Sequence, residues 1–355
     1  MSNKLTVFWA ALFIAIALIL LAACLPEISI PVGITSSAEP ASARTPALRP
    51  TPNLNCPNGD CANACLAQLS SVLQFDAMPG SPPKSALQHQ QGDKSVVLVT
   101  YQIKDNQLSS PKFSSNIPAN LSGLQQDTAS QQKIWDYFAA IIPTDRRSEL
   151  INFIVSTDGK GEMLASVEQY SNQPKYWALN VDIVDAAKPR NLTFTLIHEF
   201  GHLLTLNDSQ ITLDPKFLAH PDDLQLYQQE AASCPQYFSS VGCSQSNSYL
   251  NQFFAEFWPK IHDEWSKVNA AKDQGDYSSL LARFYRNHPT QFISPYAATS
   301  PEEDIAESWA YFVLSPKPAD DSIAHRKVLF FYNFPELVDL RNQIIYGICN
   351  YASSQ

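Results

Sequence analysis

The chain has 355 residues, enough for one large or two modest domains, and its hydrophobic fraction of 45% suits a folded globular protein. A formal net charge of −10 and the lack of any basic run exclude the electrostatic footprint of a nucleic-acid binder. Only 11 glycines stand against 25 prolines, and no glycine-rich loop of the kind that cradles phosphate is present.

Lys4 precedes a continuous apolar stretch, Val7 to Leu21, which has signal-peptide length and is short for a spanning helix. It ends in Leu21-Ala22-Ala23-Cys24, which resembles the bacterial lipobox. The resemblance implies a lipoprotein signal peptide over 1–23 and lipidation at Cys24. It also implies an extracytoplasmic protein held to the bacterial cell envelope by its lipid. An uncleaved membrane anchor is the other reading, and it also places the remainder outside the cytoplasm. Residues 24–55 are rich in Pro, Ala, Ser and Thr and read as a disordered tether, leaving 56–355 for the folded domain. Six further cysteines, Cys56, Cys61, Cys65, Cys234, Cys243 and Cys349, suggest three disulfides in an exported protein. Cys234 and Cys243 are close enough in sequence to staple one loop. The cluster of Cys56, Cys61 and Cys65 cannot pair within itself, so one member must reach a distant cysteine such as Cys349. A structural zinc at that cluster is the competing reading.

Cys61–Phe75 has helical spacing, and Gly80–Gly92 is a polar loop. Ser95–Ile103 is β-branched and aromatic and reads as a strand. Gln132–Ile142 reads as a helix stopped by Pro143. Leu150–Ser156, Leu164–Tyr170 and Tyr176–Val184 are further strand candidates, followed by a helix over Pro189–Leu206. Beyond it the pattern is mostly helical: Asp223–Ala232, Asn247–Asn269, Ser278–Asn287, Glu302–Leu314 and Ile323–Tyr351, the last broken at Pro335.

The Pro189–Leu206 helix carries His198-Glu199-Phe200-Gly201-His202. Positions i and i+4 share one helical face, so both imidazoles can hold one Zn²⁺, with Glu199 beside the metal's open side. Zinc lowers the pKa of bound water to about 7, and the carboxylate can then take a proton from it. Gly201 suits a helix packed tightly under such a site. A third ligand must come from elsewhere, and His220, His262, His288, His325 and many carboxylates are available. The stretch Ser294–Phe312 stands out, because Glu303 and Glu307 lie four apart on one helical face. Small Ala306 and Ala310 near that face permit a close helix approach.

The two blocks, 191–206 and 294–312, together resemble the gluzincin metallopeptidases, most of all the branch that contains lethal-factor-type toxins. There His-Glu-x-x-His, with Phe-Gly in the middle, is followed by a Glu-x-x-Ala-Glu helix and preceded, seven residues before its first glutamate, by a catalytic tyrosine. The resemblance implies His198, His202 and Glu303 as ligands of one zinc ion. It implies Glu199 as general base, Tyr296 as the phenol that steadies the oxyanion or aids the leaving amine, and Glu307 as support for a ligand histidine. It also implies an α+β, zincin-like fold, with a small mixed sheet lobe over about 90–206 and a mainly helical lobe with an insert over about 207–355. The departure from that branch is the length of about a hundred residues between His202 and Glu303.

Alternatives remain at each position. Ser300-Pro301-Glu302-Glu303 is also a capping box, in which Glu303 only satisfies a backbone amide and Glu302 or Glu307 is the ligand. Asp304 reads as a favourable first-turn charge. Tyr176–Val184 is expected to be the strand at the cleft edge that pairs with an extended substrate, although its apolar character also fits an interior strand. The expected activity is zinc-dependent endopeptidase hydrolysis of a peptide or protein substrate. A non-catalytic cell-surface protein that binds peptides on the same fold is the alternative.

Overall fold

The computed structural model describes residues 95–159, 164–187, 189–271 and 275–353. The signal-peptide, tether and Cys24 readings lie outside the described residues. So do Cys56, Cys61 and Cys65, the Cys61–Phe75 helix and the Gly80–Gly92 loop.

The N-terminal part is built on a five-stranded sheet in the order β2-β1-β3-β5-β4. Strand β1 (Val96–Lys104) turns through Asp105 and Asn106 into β2 (Gln107–Phe113). Both turn residues have positive φ, 49° and 66°, the conformation that two-residue hairpins demand and that Asp and Asn tolerate. Two short helices, α1 (Ser122–Gln126) and α2 (Thr128–Ile141), follow. Asp127 caps α2 by accepting from the Ser130 N–H, and the helix buries Ile134, Trp135, Phe138 and Ile141. The Trp135 ring sits 5.7 Å from Phe153 of β3 (Leu150–Thr157), which fixes α2 on one face of the sheet. Strand β4 (Ala165–Tyr170) pairs antiparallel with β5 (Gln173–Asp182), and β5 pairs parallel with β3.

One expectation is corrected here. Tyr176–Val184 is not the sheet edge: β5 lies between β3 and β4, and its burial from Trp177 onward reflects neighbours on both sides. The edge strands of the sheet are β4 and β2. The polar, proline-bearing sequence of β2 gives no strand signal. The strand is mostly exposed and held by backbone pairing to β1.

The motif helix α3 (Pro189–Leu206) leads into the mostly helical C-terminal part. A small sheet of β6 (Ile211–Leu213), β7 (Phe238–Ser239) and β8 (Gly242–Ser244) encloses α4 (Pro215–Leu218) and α5 (Leu224–Ser233) in sequence. Cys234 and Cys243 form a disulfide that closes this hairpin, as their spacing suggests. The segment read as one helix over Asn247–Asn269 is two, α6 (Tyr249–Phe257) and α7 (His262–Asn269). Pro259 breaks it, because proline has no N–H to donate and crowds the preceding turn. Then come α8 (Tyr277–Asn287), α9 (Pro301–Leu314), α10 (Ile323–Phe330) and α11 (Pro335–Ser353). Cys349 of α11 is disulfide-bonded, and its partner lies outside the described residues. Among the described residues no helix is long and apolar enough to cross a membrane.

Helix α9 is the centre of the C-terminal part, and nearly every residue from Pro301 to Leu314 is buried. Trp309 and Phe312 pack against Phe331. Its Asp304 is more than a first-turn charge: it is fully buried, and it accepts from Lys327 Nζ of α10 and, at 2.9 Å, from the Trp258 indole N–H. Removing one partner of a buried pair strands the other charge, at a cost of about 3–5 kcal/mol. Lys327→Met is therefore expected to lower unfolding stability by about that amount. A urea midpoint unchanged from wild type would contradict this role for the pair.

Candidate metal centre

His198 and His202 stand on the face of α3 that meets α9. Gly201 lies between them at the point of closest approach. A Cβ built on Gly201 would stand 3.2 Å from Ala306 Cα and 3.2 Å from Trp309 Cδ1. Only small residues let the two helix backbones come this close, and Ala306 supplies the matching small residue on α9.

That approach carries Glu303 to the histidines. Its Oε2 lies 3.0 Å from His198 Nε2 and 3.4 Å from His202 Nε2. All three potential ligand atoms fall within 4.8 Å of one another. Three ligands bound tetrahedrally at zinc's bond lengths would stand roughly 3.3 Å apart. The observed separations match that spacing, so the group of His198, His202 and Glu303 can hold a metal ion. Ser300 does cap α9, its Oγ accepting from the Glu303 N–H at 3.2 Å, but the Glu303 side chain turns to the histidines. The cap and the ligand role are thus compatible.

Glu307, one turn along α9, supports this arrangement. Its Oε1 stands 3.0 Å from His198 Nδ1, and its Oε2 accepts from Ser294 Oγ at 2.6 Å. Holding the far nitrogen of a ligand histidine fixes the orientation of the ring. Glu302 points away from the histidines and accepts from the Tyr237 hydroxyl and the Ser240 N–H. Neither glutamate competes with Glu303 in this geometry. Of the other candidate histidines, His220 is exposed, His288 pairs with Glu264 and His325 with Asp320. His262 is packed among Tyr237, Phe254 and Trp265.

Glu199 is buried beside the group, and its Oε2 accepts from the Val167 N–H of β4 at 3.0 Å. Burial pushes its carboxyl up to about 6, although the neighbouring histidines pull the other way. Burial opposes charge on His198, but the carboxylates of Glu303 and Glu307 outweigh it and hold the imidazole well above its usual pKa. Glu303 is driven in the opposite direction: burial raises it, and the two histidines more than reverse that. The Tyr296 ring lies 5.6 Å from His198. Its hydroxyl is held far above the usual phenol range, by burial first and then by Glu303, Glu199 and Glu307. Five groups singled out in the sequence, together with the supporting Glu307, therefore meet at one point.

Two features had no signal in the sequence. One is the Val167 amide, which depends on sheet order. The other is the link of Glu302 to Tyr237 and Ser240, which bridges residues far apart in the chain.

Comparison with protein-family models, with curated proteins and with solved structures finds no match to this chain. Chemical function must therefore be argued from the geometry.

The geometry makes Gly201 a spacing residue for the metal centre. Valine there is expected to push α9 away and weaken metal binding by at least about tenfold, an energy near 1.4 kcal/mol, with helical content retained. Wild-type affinity in Gly201→Val, measured by competition with a chromogenic chelator, would contradict this.

Proposed function

We propose that this chain is a zinc-dependent endopeptidase with a gluzincin-type site on a zincin-like fold. The observation that carries the reading is the convergence of two imidazole nitrogens and a carboxylate oxygen beside a buried second carboxylate, Glu199. Two nitrogens and one oxygen form a donor set that suits zinc, and three protein ligands leave a position open for water, as catalytic zinc sites require. Bound there, zinc would supply Lewis acidity and a water molecule acidified to near neutrality.

The chain's own groups have distinct tasks in this reading. Glu199 accepts the proton of the attacking water and later passes it to the leaving amine. It suits this task because it is buried and oriented by the Val167 N–H. Tyr296 offers its hydroxyl to the oxyanion, and as a strongly raised phenol it remains protonated and able to donate. Glu307 and Ser294 hold the His198 ring.

Strand β4 is the site for an extended substrate, because among the described residues no strand pairs with its outer side. Leu164 O accepts from Asp182 N, so the residues alternating with it, Ala165, Val167 and Gln169, turn their backbone groups outward, the Val167 N–H being taken by Glu199. An added strand there would run past Glu199.

The lipobox-like Leu21–Cys24 supports a lipid-anchored, extracytoplasmic location in a bacterial cell envelope.

Purified full-length protein is expected to bind one zinc and to cleave a mixed peptide library. Glu199→Gln should abolish cleavage with zinc content unchanged. Tyr296→Phe should lower kcat about 10²-fold or more, in the range of a lost oxyanion donor, at equal metal content. Cleavage that survives in Glu199→Gln, or that resists zinc chelation, would overturn the mechanism.

A further inference from the structure

His202, Tyr296 and Glu303 lie on the wall of a cavity of about 710 Å³ that also takes in Val167 and Gln169. Much of its far wall comes from the segment between the two motif blocks. That wall is largely aromatic, with Phe217, Tyr227, Tyr237 and Trp265 contributing. Among the described residues no lysine or arginine lines the cavity, but Glu302 does, immediately before Glu303.

Glu302 is 6% exposed, yet among the described residues no cation lies within ion-pair distance of it. Its neighbour Asp304 is equally buried and has Lys327. The partners of Glu302 among the described residues are all neutral: Oε1 accepts from Ser240 N at 2.9 Å, the Tyr237 hydroxyl lies 3.1 and 3.2 Å from the two oxygens, and the Ser300 side chain and the Glu302 N–H also bond to the carboxyl. The first turn of α9 offsets part of the charge, but a buried carboxylate without a counter-charge remains costly. A cation on an apolar stem would relieve that cost while its methylenes cover the aromatic wall.

We infer that this cavity is a substrate subsite for a lysine or arginine side chain, with the charged head paired to Glu302 and the stem lying along the wall built by the inserted segment. Exposed Asp222 at the cavity lining adds a second negative charge. An acidic side chain is excluded by the same charges. The inference takes from the peptidase reading only that the ligand is a peptide.

Binding without cleavage tests it. Zinc-loaded, full-length Glu199→Gln is titrated with fluorescent, N-acetylated peptides, neutral except for one central residue: lysine, norleucine or glutamate. Acetylation leaves the side chain as the only ammonium, and norleucine keeps the stem without the charge. The lysine peptide is expected to bind at least about tenfold tighter than the norleucine peptide, and the glutamate peptide weakest. Adding Glu302→Gln should bring lysine down to the norleucine level with zinc content unchanged. Norleucine binding as tightly as lysine overturns the inference without reliance on any change in the cavity. A lysine preference that persists in the double variant also overturns it. Wild-type turnover of the same peptides keeps the two readings apart. Lysine preference without turnover rejects the peptidase and leaves the subsite standing, and turnover without the preference does the reverse.

Discussion

The close crossing of α3 and α9 at Gly201 and Ala306 is the constraint on which the rest depends. The histidines of α3 are fixed by their helical spacing, so any third ligand for a metal held by them must be brought to them. A glutamate side chain is short, and Glu303 reaches the imidazoles only because two small residues let the backbones meet. Interiors are close-packed and transmit such displacements, so extra bulk at the crossing moves the ligand itself.

Helix α9 is held in that position by its own run of acidic residues, each turned to a different neighbour. Glu302 reaches the disulfide-closed hairpin through Tyr237 and Ser240. Glu303 reaches the histidines, and Asp304 reaches Lys327 and Trp258. Glu307 returns to His198 and Ser294. Four carboxylates within two turns of one buried helix are costly to desolvate together. Glu302 and Asp304 are satisfied away from the histidines, Glu303 faces both His198 and His202, and Glu307 faces His198 and Ser294. The shifts of His198 and Glu303 are opposed, the imidazole up and the carboxyl down, because each lies against the other's charge.

Much of the centre was legible in sequence because its parts are local. The i, i+4 histidines, Glu199 beside them and the Glu303–Glu307 pair come from single segments, and Tyr296 is marked only by the family resemblance. Strands β1 and β3 are legible from β-branched runs, and β4 and β5 from short stretches of apolar and aromatic residues. What failed depends on information that single segments do not carry. Sheet order is set by tertiary pairing, so β5 reads like an edge or an interior strand until β4 is placed beside it. Strand β2 has almost no buried face to mark it, and its sign is the Asp105-Asn106 turn. The break at Pro259 was readable but outweighed by the apolar periodicity on both sides. Asp304 looked like a first-turn charge because its partner Lys327 lies on another helix.

X-ray absorption at the zinc edge of the zinc-loaded, full-length protein tests the central claim most directly. The account predicts one zinc per chain, with only nitrogen and oxygen neighbours at about 2.0–2.2 Å, two of them imidazoles, and loss of that signature in His202→Ala. A shell of sulfur at about 2.3 Å would place the metal on cysteines instead, and absence of bound zinc would remove the basis of the site.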